Sequence, residues 1–428
     1  MKSKLSHSFL SSLYLGGASL LACAAVSAAE LKFDFGSGKS LPGYTEVKED
    51  TLYAKGKRYG FLPFTPATPT KTRIFAADVE EGNYDVTIRF GHPTEATSTV
   101  IKGEQRRLMI EKVETEPGQY ETRTFTINVR KPTVARLNNR ELGPPVSPNW
   151  DDQLTLEING KQPGVVTIDI KPAENATTLF LVGDSTVTDQ RNEPYAGWGQ
   201  MLPRFFQQGI AVSNQAESGL ALHSFERQKR LDKVLSMMKK GDYLFIQFGH
   251  NDQKNKAPNA GPFTTYKDNL KTYIAAARKK GGIPVLVTPM ERRRWDKGTV
   301  KTTLSDYAEA VRQAGAEENV KVIDLHAMSL KLYAALGEEN SKKAFAFAPA
   351  GTYPGQDKAM ADNTHHNSFG GYELARCIVE GIKTEVPELV PHVAKDAGTF
   401  NPESPDSPDA FEVPASPIKE KVEKPAGS

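Results

Sequence analysis

The sequence predicts two units of different class: an all-β sandwich over residues 30–172, then an α/β domain built on a parallel sheet over residues 177–395. The first unit strings short, period-two stretches between Gly, Pro, Asn and Asp clusters, with no amphipathic helix among them, as sandwiches do. The second alternates apolar strands with helical patterns, which builds a parallel sheet covered on both faces. A chain of 428 residues has room for both at about 100–200 residues per domain.

Composition narrows the function classes. With 38% hydrophobic and 25% charged residues the chain is neither wholly disordered, collagen-like nor a polytopic membrane protein. Its 54 Lys+Arg against 52 Asp+Glu leave a net charge of +2, without the basic excess that a nucleic-acid partner requires.

Residues 1–28 read as a signal peptide. Lys2 and Lys4 give a positive start, Phe9–Leu21 an apolar run too short to span a membrane, and Val26-Ser27-Ala28 a cleavage signature. Leu20-Leu21-Ala22-Cys23 offers an alternative, a lipobox whose Cys23 would carry a lipid anchor. Both alternatives export the protein, to the periplasm or the medium. Either leaves Cys377 as the one free cysteine, in the apolar context of a helix, where a packing role fits better than a reactive thiol.

Within the first unit the strand signals fall at 31–35, 84–90, 122–129, 154–158 and 165–170. In the second, apolar strands at 178–182, 209–213, 243–248, 283–288 and 320–325 alternate with helices at 225–240, 263–280, 304–313 and 369–384. From 396 to 428 the chain turns rich in Pro, Glu, Lys and Ser, and its composition predicts a disordered tail.

In an open parallel sheet, ligands bind beyond the carboxyl ends of the strands. Gly183-Asp184-Ser185-Thr186 follows the first such strand, Asn214 to Gly219 the second, and Gly249-His250-Asn251-Asp252 the third, with Asp362-Asn363-Thr364-His365 near the domain's end. Together these residue types suit acyl transfer. Ser185 is the candidate nucleophile, His365 the base that takes its proton, and Asp362 the group that orients the imidazole. Ser185 N–H, Gly219 N–H and the Asn251 amide are candidate oxyanion donors, each worth about 2.7–4 kcal/mol in such sites. Asp184 is expected to shape the nucleophile turn. His250, His365, His366 and Asp252 do not follow the usual metal-ligand spacings, so no metal is expected.

These four clusters resemble the blocks of the SGNH (GDSL-like) hydrolases, and most closely the rhamnogalacturonan acetylesterase family. Gly183-Asp184-Ser185-Thr186-Val187, Phe248-Gly249-His250-Asn251-Asp252, Thr288-Pro289 followed by Arg292 and Arg293, and Thr364-His365 preceded by Asp362 carry the resemblance. It covers about 177–390 and implies a flavodoxin-like three-layer fold. It also implies a carboxylic ester hydrolase that needs no cofactor and removes acetyl groups from pectic rhamnogalacturonan or a related plant cell-wall polysaccharide. The alternatives are an acetylxylan or other SGNH acyl esterase and, from another class, a carbohydrate-binding protein with an inactive esterase domain. Residues 30–172, with Phe33-Asp34-Phe35-Gly36 near the start, resemble a galactose-binding-like domain that binds sugar or stabilises its neighbour. One departure from the family is a second histidine, His366, directly after the expected one; the Asp-x-x-His spacing assigns the base to His365. Arg292 and Arg293 are candidate substrate-binding residues, since guanidinium suits the carboxylate of a uronate.

Overall fold

The computed structural model describes residues 30–36, 41–64, 71–134, 137, 140–142, 149–418 and 422–426; the expected signal segment and Cys23 lie outside them. Two five-stranded sheets form the first unit. One runs in the order Thr45–Glu46, Leu31–Asp34, Val165–Pro172, Gly82–Gly91, Tyr120–Val129, and the other Tyr59–Phe61, Arg73–Asp78, Gln153–Gln162, Thr97–Gly103, Arg107–Thr115. All pairings are antiparallel except that of Leu31–Asp34 with Thr45–Glu46. Val86, Ile88 and Phe90 alternate inward from one sheet and meet Phe75, Leu154 and Leu156 of the other in a shared apolar core.

Four strands of the second sheet, at 59–61, 73–78, 97–103 and 107–115, were not signalled by the sequence. For the last two, Lys102, Glu104, Arg106 and Arg107 explain why. They interrupt the apolar alternation, yet all four are buried, because this edge of the sandwich faces the next unit and not water.

The second unit has a five-stranded parallel sheet in the order Ile210–Asn214, Thr177–Gly183, Tyr243–Gln247, Ile283–Val287, Lys321–Ile323. The first strand in sequence therefore lies second in space, and the switch point beside it is where such sheets hold ligands. Helices Leu325–Asn340 and Ser368–Glu385 cover one face; Leu222–Arg227, Arg230–Met237, Lys267–Lys279 and Ser305–Glu318 cover the other. The helix expected over 225–240 is in fact two, parted where Lys229 takes a left-handed φ of 66°. Helix Leu325–Asn340 was not among the helices expected from the sequence.

The two units share a core: Val100 and Leu108 of the sandwich join the apolar cluster that contains Trp198, Leu202 and Phe205. Around that contact, polar side chains from the two units pair. Arg107 donates to Val212 O at 3.0 Å and also to Asn128 O, while Arg130 Nη2 meets Asp189 Oδ2 at 2.8 Å. Gln200 Nε2 donates to Gln105 O at 2.7 Å, and Arg204 Nε to Glu111 Oε2 at 2.8 Å.

The expectation of a disordered tail over 396–428 does not hold for its described part. Phe411 packs on Phe369 and Tyr372, Asp406 pairs with Arg376 at 2.6 Å, and Lys102 donates to Pro414 O and to Ser416 Oγ. Composition measures what a segment can bury by itself; this one uses apolar and charged partners that the two units already present.

Arg107 sits among Glu104 and Asp189, with none of the three exposed to water. Arg107→Ala should therefore destabilise by about 3–5 kcal/mol, by stranding buried carboxylates, and chemical denaturation monitored by tryptophan fluorescence will read it. A loss below about 1 kcal/mol would mean that water replaces the guanidinium.

Candidate active site

The site lies at the carboxyl edge of the parallel sheet, where the loop after Thr177–Gly183 carries Ser185 and the loop after Tyr243–Gln247 carries Asn251. Gly183 is needed for close packing: a Cβ there would meet Val187 Cγ2 at 2.5 Å and Gln247 O at 2.7 Å. Beyond it Asp184 folds the turn, its Oδ1 accepting from Thr186 N at 2.9 Å and Thr186 Oγ1 at 2.7 Å. Burial opposes the Asp184 charge, but the facing His250 and these donors hold its carboxyl below the ordinary range. Gln190 Nε2 then donates to Ser185 O at 2.6 Å, pinning the nucleophile's own carbonyl.

His365 comes from a different layer. Strand Met360–Asn367 pairs with Phe345–Ala348, but its register breaks between Ala361 opposite Phe347 and His366 opposite Phe345. The extra residues bulge, and Asp362 closes the bulge by accepting from Thr364 N (2.8 Å) and His365 N (3.1 Å) through Oδ1. Its Oδ2 lies 2.8 Å from His365 Nδ1, and His365 Nε2 lies 2.8 Å from Ser185 Oγ. With Asp362 accepting the Nδ1 proton, Nε2 is the acceptor that faces the serine hydroxyl. Burial would raise the Asp362 carboxyl, yet its bonds to His365 and Thr364 hold it down to about 2.

The histidine doublet separates by side. His366 turns away into a buried contact with Tyr333 OH at 2.9 Å and stacks near Phe345, and burial drops its pKa to about 3. It is a neutral packing residue. His250 is also buried, 3.5 Å from Asp184 Oδ2, and burial lowers its pKa too.

The three candidate oxyanion donors surround one edge of this line. Gly219 adopts φ +81°, a conformation that favours glycine, and among the described residues neither its N–H nor that of Ser185 meets an acceptor. The Asn251 amide is held at both ends: Nδ2 donates to Leu220 O at 3.1 Å, and Oδ1 accepts from Lys254 at 3.3 Å. One Nδ2 proton remains available. This combination of a serine on a base, an oriented base and open donors can perform acyl transfer.

The expectation that Arg292 and Arg293 meet substrate carboxylates does not hold, because the protein already engages their donors. Arg292 Nη1 bonds Gln253 Oε1 at 3.0 Å and Thr303 Oγ1 at 2.9 Å, and its Nη2 bonds His250 O. Arg293 is buried, bonding Ser341 Oγ and Asn363 Oδ1 at 3.0 Å each and also Glu338 O. Its backbone N–H donates to Asn363 O, so Arg293 braces the loop that carries Asp362 and His365.

Sequence reasoning also passed over Glu291, Gln190 and Lys254. Glu291 is wholly buried and accepts from Arg292 N, Thr303 N and Leu304 N; together with His326 these bring its carboxyl down to about 2 against the cost of burial. No spacing rule marks such residues, whose partners are distant in sequence. Among the described residues no group of three His, Cys, Asp or Glu side chains is arranged to hold a metal ion, and no helix is long and apolar enough to cross a membrane.

Arg293→Ala should lower kcat on neutral and acidic esters by the same factor, up to roughly 10²-fold, since it misplaces the base and leaves recognition unchanged. A changed ratio between the two ester types would restore a recognition role. Glu291, depressed when folded, stabilises the protein above its unfolded pKa near 4.3, and that stability is lost as pH falls towards 2. Glu291→Gln should flatten about 3 kcal/mol of the acid limb in denaturation curves taken between about pH 5 and pH 2.

Residues 179–378 match the family of GDSL-like lipases/acylhydrolases. The chain is 39% identical over 223 residues to rhamnogalacturonan acetylesterase RhgT of Bacillus subtilis, covering 51% of this chain and 95% of that protein. It is 37% identical over 213 residues to the probable rhamnogalacturonan acetylesterase YesY of the same organism, covering 49% and 93%. A longer likeness, 27% over 387 residues, covers 84% of this chain and 93% of the uncharacterized esterase YxiM of Bacillus subtilis. With the acyl-transfer geometry and these relatives together, the chain belongs to the GDSL-like lipase/acylhydrolase family and is a carboxylic ester hydrolase.

Proposed function

We propose that the protein is an exported carbohydrate esterase that removes O-acetyl groups from pectic rhamnogalacturonan through an acyl-enzyme on Ser185. The observation that carries this is the line Asp362 Oδ2–His365–Ser185 Oγ, with both hydrogen-bond distances at 2.8 Å. The relatives named rhamnogalacturonan acetylesterases support the substrate. Export is supported by the pattern of residues 2–28, and a cell-wall polymer is met outside the cell.

In the first half-reaction Ser185 Oγ attacks the acetyl carbonyl carbon while His365 Nε2 takes its proton. The carbonyl oxygen becomes an oxyanion held by Ser185 N–H, Gly219 N–H and the free Asn251 amide proton. Collapse breaks the bond to the sugar oxygen, which leaves with the proton from His365, and Ser185 remains acetylated. Water then attacks the acetyl-serine, giving its proton to His365; acetate departs and Ser185 regains its hydrogen. Asp362 keeps the Nδ1 proton in place and stabilises the imidazolium throughout.

Acetate release from acetylated rhamnogalacturonan, acetylated xylan and p-nitrophenyl acetate tests both parts of this proposal. Wild type should favour the pectic polymer, Ser185→Ala should lose release from all three, and Asp362→Asn should fall by roughly 10⁴-fold in kcat. Release that survives Ser185→Ala sinks the serine mechanism. Preference for xylan transfers the enzyme to another polymer and leaves the mechanism intact.

A further inference from the structure

Residues 422–426 lie against the candidate catalytic centre, with Val422 and Pro425 buried and Glu423, Lys424 and Ala426 exposed. Val422 is buried in a small apolar cluster with Tyr195 and Ala346, and Tyr195 sets the edge of its ring against His365. Two residues on, Lys424 places its ammonium 3.6 Å from Asp362 Oδ2, the oxygen that faces His365 Nδ1. The Lys424 side chain is 55% exposed and that of Asp362 only 3%, so the lysine stands on the solvent side of the carboxylate. Its charge also reaches Lys254, the residue that holds the Asn251 amide. Ala426 then covers Gly219, whose added Cβ would come within 3.1 Å of the Ala426 Cβ.

Within five consecutive residues the segment thus meets the orienting carboxylate and the glycine of a candidate donor. Ala426 crowds the loop that carries the Gly219 donor. Beneath this cover Ser185 itself is only 3% exposed. On the far side of residues 423–426 is a cavity of about 400 Å³, walled by Gln190, Tyr195 and Ser218 of the catalytic unit and by Arg130 and Trp150 of the sandwich. That volume is within the range of ligand clefts. The segment therefore lines a ligand-sized cleft whose walls do not include Ser185 or His365.

We infer that residues 422–426 are a displaceable strap across the active-site mouth, an intramolecular competitor that substrate must lift to reach Ser185. Its attachments suit that role. The Lys424–Asp362 pair is half open to water and subject to screening by salt, and the segment's buried residues are Val422, in a small apolar cluster, and Pro425. Substrate then binds only the fraction of molecules in which the strap is open, and its apparent affinity is lowered by that fraction.

The proposal rests on Ser185 as nucleophile, so the test separates the two. A serine-directed fluorophosphonate probe is applied to the full-length protein, and the rate and site of labelling are read by mass spectrometry. Val422→Asp unseats the segment at a distance from the reacting atoms, and Lys424→Ala removes the ion pair. Each should speed labelling of Ser185 and hydrolysis of p-nitrophenyl acetate by about tenfold, the gain expected if about a tenth of wild type is open. Added salt should speed wild type and leave Lys424→Ala unmoved. Equal or slower labelling of Ser185 in both variants overturns the strap, whereas no labelling in any protein overturns the nucleophile assignment. Labelling at a residue other than Ser185 overturns the nucleophile assignment instead. Thermal unfolding of each variant checks that the body stays folded.

Discussion

Asp189 is the buried charge on which the rest of the molecule turns. Its Oδ2 meets Arg130 at 2.8 Å and Arg107 at 3.5 Å, both from the sandwich, while its Oδ1 accepts from Asn214 at 2.7 Å. It therefore joins the nucleophile loop, the second strand of the parallel sheet and the neighbouring unit at a single carboxylate. A buried ion cluster of this kind adds little net stability over an apolar contact, but it tolerates no alternative arrangement, because any slip strands a charge away from water. Burial moves the groups in it in the expected directions: Arg107 falls to about 10 and Glu104 rises to about 7, each tempered by its partners. The sandwich thereby acts on the catalytic loop mechanically, whatever else it binds.

At the reacting centre the same physics separates two neighbouring histidines. Successive residues of an extended strand point to opposite faces. His365 turns to Ser185 beside an ionised carboxylate, while His366 turns to Tyr333 and Phe345 in an apolar pocket that keeps it neutral. The register break at 362–365 makes room for Asp362 to bond back to its own loop, so the carboxylate is preorganised before any substrate arrives. Arg293 and Glu291 extend that scaffold, one bracing the base's loop and the other closing the loop that carries Arg293.

Much of this was legible in order of residues. Apolar strands each followed by Gly, Asp, Ser, Asn or His located one edge of one sheet, and the Asp-x-x-His spacing located the base. Of the four sandwich strands that were not legible, two are interrupted by Lys102 and Arg107, which with Arg106 of the turn between them read as surface residues until their partners Glu193, Val212 O and Gln190 O are known. The tail was misread for the same reason: its Asp406 and Phe411 are complementary to Arg376 and Tyr372 of helix Ser368–Glu385, and its Ser416 to Glu193. The arginine run was misjudged in the opposite sense, with a structural pair taken for a recognition pair.

By itself the sequence determined the local and periodic features of this protein: where strands alternate, where helices follow them, and which loops carry a nucleophile, a base and small donors. Those properties depend on neighbours within a few residues, so composition and spacing report them. Only the tertiary structure decided which charges are buried and paired, where the second histidine of the doublet packs, and that residues 422–426 lie over the centre. Those outcomes depend on groups brought together across the chain, where the environment of a side chain, and not its type, sets its charge and its role.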